Sequence, residues 1–282
     1  MKGKVFSMEK MNYENLELIS LNVAGWNWRT SKEKWEDRLK RICEYIKNKM
    51  NDPFVIALQE VQLSGGKYLT VLEEKFPDYH IVLPQAYKNQ PRSVISVLLI
   101  NKKLCESYDV RTLEGLEDSL RYNFVQISTH IEGLCFRILN TNIPHNCLDN
   151  AAEWYREERE ELRSLFIQKI KELANTHRLE PDLKLIILGD FNAVPDDGFI
   201  KSLAYAYDRP MIDAVRDQDK NTATWRDFAS KTKNRLDYIL YSVGMLCNTG
   251  VSAKFTQVDD STIFQALSDH AILVGGVVLD FS

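Results

Sequence analysis

The feature that most narrows the fold is a series of short apolar runs of strand length, each breaking off at a polar or acidic residue. "LKLIILGDFN" is the plainest case: Leu185 to Leu188 are apolar, and Gly189, Asp190 and Asn192 follow at once. "LELISLNVAG", "FVIALQE", "SVISVLLINKK", "RLDYILYS" and "AILVGGVVLDF" follow the same plan. "YNFVQISTHIEGLCFRILNTNIP" reads as a hairpin turning near Glu132 and Gly133. Between these runs the apolar period changes. From Lys32 to Met50, Trp35, Leu39, Ile42, Cys43, Ile46 and Met50 recur at helical spacing. "LSGGKYLTVLEEKF" restarts a helix after a glycine turn. Ala151 to Thr176 is a long amphipathic helix with Leu162, Leu165, Phe166, Ile170 and Leu173 on one face, its many Glu and Arg residues reading as the solvated face. Hairpins mixed with crossover helices predict an α/β architecture of two packed sheets flanked by helices.

The chain has 282 residues, and no internal repeat, low-complexity tract or Pro/Gly/Ser-rich linker divides it. One domain over 1–282 is therefore expected, with residues 1–15 a flexible or edge-strand N-terminus. Lys plus Arg is 36 and Asp plus Glu is 40, for a net charge of −4, which argues against coating nucleic acid by bulk charge. A local basic rim around an acidic site is still compatible with that balance. The five cysteines, Cys43, Cys105, Cys135, Cys147 and Cys247, form no Cys-x-x-Cys pair, so they read as free thiols of a reducing compartment. The N-terminal stretch lacks an apolar signal core, and no apolar run is long enough to span a bilayer. A cytoplasmic monomer is the expectation.

Six strand ends carry chemistry: Asn22, Glu60, Asn142, Asp190 with Asn192, Asp237, and Asp269 with His270. One Asp after a strand often only caps a turn. Six such ends together mean converging carboxylates, which repel one another without a cation. The donors are oxygens apart from one imidazole, a set that suits Mg²⁺ or Mn²⁺ rather than zinc. The pattern points to metal-assisted attack of water on a phosphoester.

The motifs "LNVAGW", "ALQEV", "GDFNAVP", "RLDYIL" and "SDHAIL", in that order from Asn22 to His270, resemble the endonuclease/exonuclease/phosphatase superfamily. Its members include pancreatic deoxyribonuclease, abasic-site endonucleases, neutral sphingomyelinases and inositol polyphosphate 5-phosphatases. The resemblance implies a four-layer α/β/β/α sandwich and a Mg²⁺-dependent phosphodiester hydrolase, endo- or exonuclease, with nucleic acid as substrate. It implies Glu60 as the main metal-ligating carboxylate with Asn22 beside it. Asp190 would polarise the attacking water, Asn192 would orient phosphate and nucleophile, and Asp237 would support the phosphate site. Asp269 and His270 match the terminal motif, in which a His contacts phosphate or moves a proton while an acid orients it or assists at the metal. Adjacent strand residues face opposite ways, so the partner of His270 can equally be an acid from another loop.

One position departs from the family pattern. Relatives carry His or Tyr where this chain has Asn142, and an amide cannot act as a general acid. His145 is the loop residue that can stand in, or else a plain surface histidine. Arg121 sits where the family often places an Arg near substrate phosphates, and a guanidinium suits that contact. Arg226, Lys231, Lys233 and Arg235 form the densest basic cluster, read as a solvated loop that can border a substrate groove. Trp26 and Trp28 read as packing residues, and "SGGK" as a helix start rather than a phosphate loop. Asp196 and Asp197 read as turn and helix-cap residues. A phosphatase or lipid phosphodiesterase is the second enzyme reading. A catalytically silent binding module would have no chemical need for Asp190, Asn192, Asp237 and His270 together.

Overall fold

A computed structural model of the chain describes residues 16–24, 34–50, 52–90, 94–130, 134–145, 153–177, 183–205, 211–214, 223–226, 233–242, 254–256 and 268–277. In chain order the elements are β1 (Leu16–Asn22), α1 (Trp35–Lys49), β2 (Val55–Gln62), α2 (Leu69–Lys75), β3 (Tyr79–Val82), β4 (Val94–Asn101), β5 (Cys105–Arg111), β6 (Tyr122–Thr129), β7 (Cys135–Asn142), α3 (Glu153–His177), β8 (Leu183–Asp190), β9 (Met211–Asp213), β10 (Trp225–Arg226), β11 (Lys233–Asn234), β12 (Asp237–Ser242), β13 (Lys254–Thr256) and β14 (Ile272–Val277). The first sheet runs β13-β14-β1-β2-β4-β3 and the second β5-β6-β7-β8-β12-β9, with β10 and β11 a separate ribbon. Only β1–β2 and β7–β8 pair in parallel among the described strands, and α1 and α3 lie between their members in the chain. That is what a parallel pair requires, since a tight hairpin cannot join its ends.

The period-two alternation sorts side chains into layers. Leu18, Ala57 and Leu98 of the first sheet meet Val125, Ile138, Ile186 and Leu188 of the second in one buried core. Ile19, Leu21, Ile56 and Leu58 point the other way, onto Leu39, Ile42 and Ile46 of α1 and Leu72 of α2. Leu139, Leu185 and Ile187 likewise pack on Phe166, Ile170 and Ala174 of α3. The architecture is two packed mixed sheets flanked by helices, as the sequence pattern and the resemblance led us to expect.

Near one end of the inter-sheet core the apolar pattern gives way to amides. Gln59 Nε2 donates to Asn140 Oδ1 across the sheets (2.8 Å) and to Ser20 Oγ (3.2 Å). Asn140 Nδ2 donates in turn to Asn123 Oδ1 (3.1 Å) and Val97 O (3.0 Å). The next step along β2 is irregular. Its register against β4 shifts between Leu58 and Val61, and both of those residues sit in the helix-side core. The bulge leaves Gln59 and Glu60 both facing the other sheet, with Glu60 in the left-handed region at φ 57°.

The short or exposed strands escaped the sequence reading. Six of the seven β5 residues are exposed, so no apolar alternation marks it, and its pairing with β6 alone makes it a strand. Met211–Asp213, too short for its alternation to show, is the edge strand β9. The second helix is shorter than "LSGGKYLTVLEEKF" suggested: a 3₁₀ turn over Ser64–Gly66 precedes it. Arg163, assigned to the solvated face of its helix, is buried. Its Nη1 donates to Pro144 O (2.6 Å) and Phe191 O (3.5 Å), tying the loops after β7 and β8 together. Cys43 and Cys105 are buried free thiols and Cys135 is half-buried, as expected; burial pushes the Cys43 thiol up to about 12. The readings of residues 1–15, Trp26, Trp28, the turn at Glu132 and Gly133, Cys147, Lys231 and Cys247 lie outside the described residues. No described helix is long and apolar enough to cross a membrane.

Gly189 allows β8 to lie against β7 at the point where the site begins. Its φ is 137°, and a Cβ there would stand 1.9 Å from Thr141 O. Gly189→Ala is therefore expected to destabilise the fold by at least about 3 kcal/mol, through both φ strain and the backbone clash. Denaturant unfolding of the variant against the parent measures this, and a loss under about 1 kcal/mol would contradict the contact.

Candidate active site

Three neighbouring strands of the second sheet bring their ends together. Asn142 pairs with Asp190 in the parallel β7–β8 register, and Asp190 pairs with Asp237 across the antiparallel β8–β12 ladder. Like charges set opposite one another on a ladder repel. The first sheet contributes Asn22 from the end of β1, Glu60 from the β2 bulge and His270 just before β14. Asn22, Asn142, Asp190, Asp237 and His270 are all buried, and Glu60 is half-buried.

Hydrogen bonds fix each group. The Asp190 carboxylate accepts from Asn22 Nδ2 (2.9 Å) and Asn192 Nδ2 (3.2 Å) on Oδ2, and from the Asn192 backbone N–H (2.9 Å) on Oδ1. Asn22 Oδ1 accepts from Ala24 N (2.9 Å). Asn192 adopts φ 47° and also donates to Ile143 O (2.9 Å), while Phe191 between the two polar residues is fully buried in the helix-side core. Asp190 and Asn192 thus face the site while Phe191 between them faces the core. His270 Nδ1 lies 2.9 Å from Asp237 Oδ2, and its Nε2 lies 3.9 Å from Asp190 Oδ2. Because a carboxylate only accepts, Nδ1 is the protonated nitrogen of that pair.

Burial raises the Asp190 carboxyl, and the nearby Asp237 and Glu60 charges raise it further; opposed by His270 and the Asn192 amide, it settles at about 7. Burial alone would lower His270, but the charge of Asp237 and its hydrogen bond outweigh that, with Asp190 and Asp269 adding to the rise. Asp190, Asp237 and His270 bring ligand atoms within 4.8 Å of one another. Glu60 lies beside this group: its Oε1 accepts from Asn142 Nδ2 (3.3 Å). A buried pocket in which the Asp190 and Asp237 carboxylates and His270 converge, with Glu60 beside them, fits a hard divalent cation. Thiolates are absent from it among the described residues.

Other expected site residues are placed differently. Asp269 is adjacent to His270 yet does not orient it: Trp225 Nε1 donates to Asp269 Oδ2 (3.3 Å), and the orienting acid is Asp237. Adjacent residues on an extended chain diverge, and of the two partners the sequence left open for His270 the structure places the acid from another loop against it. Asp237 accordingly engages the imidazole rather than standing alone at a phosphate site. Arg121 reaches the site's edge, with a guanidinium nitrogen 3.4 Å from Asn142 Oδ1. His145 is exposed and contacts Arg159 (3.4 Å), so it is not part of the buried group. Arg235 is not a solvated loop residue: it is buried, paired with Asp213 (2.6 Å), and its guanidinium stacks 4.5 Å from the Tyr238 ring centroid. Two residues of the surroundings went unread, Ser268 and Thr224. Ser268 Oγ donates to Asn22 O (2.6 Å) and accepts from His270 N (3.1 Å), linking the two ends of the chain at the site.

The pH dependence of stability follows from these shifts. Asp190, raised from 3.8 to about 7, contributes stability that is present below its unfolded value and lost as pH rises through about 7. His270 is also raised, so its contribution is present below its unfolded value and likewise disappears as pH rises through its folded value. Both act in one direction. In chelator, the melting temperature is expected to fall between about pH 6 and pH 9, and excess Mg²⁺ is expected to restore most of the loss at the upper end. A scan that is flat or rises with pH in chelator would contradict this.

A family model described as the Endonuclease/Exonuclease/phosphatase family matches residues 15–270. Among curated proteins no sequence match is found. Solved structures similar in fold include D. rerio TDP2 complexed with single strand DNA product, at TM-score 0.62 and 17% identity over 93% of this chain and 98% of that one. An endonuclease/exonuclease/phosphatase from Bacteroides vulgatus aligns at 0.64 and 18%, covering 94% and 99%. The human Nocturnin catalytic domain with bound sulfate aligns at 0.61 and 18%, covering 95% of each chain. With its strand-end motifs, its sandwich and its buried Asp190–Asp237–His270 group inside the matched span, the chain belongs to the endonuclease/exonuclease/phosphatase family of phosphoesterases.

Proposed function

We propose that this chain is a Mg²⁺- or Mn²⁺-dependent phosphodiester hydrolase acting on nucleic acid. The observation that carries the reading is Asp190 facing the hydrogen-bonded Asp237–His270 pair inside one buried pocket. Glu60 and Asn22 would hold the cation. When bound, it supplies charge neutralisation at the phosphoryl oxygens and acidifies water.

The chain's own residues do the rest. Asp190, held by three N–H donors, takes the proton of the attacking water; a carboxyl that binds protons near neutral pH is suited to that task. Asn192, whose backbone N–H and Nδ2 both hold Asp190, orients the attacking water through that carboxylate. His270, protonated and steadied by Asp237, presents Nε2 to the phosphate and stabilises the charge that builds there. Arg121 and Asn142 lie beside Glu60, where they can contact a phosphoryl oxygen. Asn142 cannot protonate a leaving group, so that proton comes from His270 or from water. Nucleic acid is preferred because "GDFNAVP" resembles the nuclease members, and because a TDP2 of similar fold was solved with single strand DNA product.

Asp190→Asn is expected to fold and to lose at least about 100-fold of phosphodiesterase turnover; near-parental turnover would remove Asp190 from its role. Calorimetry should show divalent-cation binding that Glu60→Gln weakens, and unchanged binding would remove that ligand. The substrate is decided by a panel in Mg²⁺ or Mn²⁺ of single- and double-stranded DNA, abasic DNA, RNA, bis-p-nitrophenyl phosphate, inositol phosphates and sphingomyelin. Hydrolysis of inositol phosphate or lipid alone would overturn the nucleic-acid assignment.

A further inference from the structure

Asp237 begins a strand of the second sheet, and His270 precedes a strand of the first. The two sheets meet face to face, so neither ladder sets the distance between these two backbones. The Asp237–His270 hydrogen bond needs that distance held to a few tenths of an ångström. A third segment supplies the link. Thr224, buried just before β10, accepts from the backbone N–H of both Leu236 and Asp237 on its Oγ1, each at 2.9 Å. Its own carbonyl accepts from Ala271 N (2.7 Å), next to His270, and its N–H donates to Asn234 O (2.9 Å). Trp225, the next residue, makes a β-bridge with His270. One residue is therefore hydrogen-bonded to the backbone on both sides of the pair, and both lone pairs of its hydroxyl are used on the Asp237 side.

We propose that Thr224 is a positioning residue: it spans the two sheets at the site and sets the geometry of the Asp237–His270 pair. It touches no reacting atom and acts through the pair alone. The β-methyl and hydroxyl divide the task, since the hydroxyl accepts the two amides and the methyl only fills space. Serine keeps the acceptor, valine keeps the shape and loses it, and alanine also lacks it.

This inference rests on the pair working as described above, and two readouts separate the two claims. Nitrogen NMR of the labelled His270 ring reports the Nδ1–Asp237 bond whether or not any substrate is turned over. Its ring shifts should be near parental in Thr224→Ser and displaced in Thr224→Val. With bis-p-nitrophenyl phosphate and Mn²⁺ as the probe, Thr224→Val should lower kcat by at least about tenfold with KM changed less than about twofold, and Thr224→Ser should restore kcat. Parental ring shifts in a folded Thr224→Val would overturn the proposal. If the parent itself turns nothing over, the phosphodiesterase reading fails, and the ring shifts still decide the role of Thr224. If Thr224→Val does not fold, Thr224→Ala, which also lacks the acceptor, carries the comparison: displaced ring shifts support the role and parental ones overturn it.

Discussion

Half of the site belongs to each sheet, so everything at it depends on how firmly the two inner faces are held in register. Apolar contact between Leu18, Ala57, Ile138 and Leu188 holds the faces together but gives little direction, because hydrophobic association is not directional. The Gln59–Asn140 bond is directional. It crosses the sheets one residue before Glu60 and two before Asn142, so the floor of the site is a layer of amides rather than a continuation of the greasy core. Along the inward rows the layers pass from hydrocarbon to amide to acid.

The acid layer is in tension with the rest. Asp190 and Asp237 are cross-strand partners in a buried ladder, and Glu60 adds a third carboxyl nearby. Two features answer the repulsion: the His270 imidazole is hydrogen-bonded to Asp237, which favours its charged form, and Asp190 is surrounded by amide donors while burial and its acidic neighbours raise its carboxyl. Active sites commonly hold such local conflict, because the groups that make chemistry possible are poor fillers of a buried space.

Much of this was readable from residues alone, for a physical reason. Strands buried on both faces announce themselves by unbroken apolar runs, and an Asp or Asn closing such a run, as at Asp190 or Asn22, has to be accounted for. The helices of α1 and α3 were legible from their period, within a few residues of their ends. Strands whose existence depends on a neighbour were not legible: β5 carries no pattern of its own. Contacts between distant segments were also hidden. Nothing local distinguishes Thr224 from any loop threonine, or Arg235 and Arg163 from solvated cations, and the identity of the acid facing His270 needed three dimensions. Asp269 shows the same limit: the sequence left the partner of His270 open between it and an acid from another loop, and only the folded chain turns Asp269 toward Trp225.

The bulge on β2 has a consequence for how the site can be lost. Leu58 and Val61 both point to the helices, which leaves one residue more between them than a regular strand would carry. Glu60 faces the other sheet only because of that extra residue. Deleting a single codon between them would restore plain alternation and leave room for one inward polar side chain instead of two. The amide floor and the acid would then compete for one position. At this strand the length of the chain, as much as the identity of its residues, specifies the chemistry, and an alignment scored on residue type alone would not register the difference.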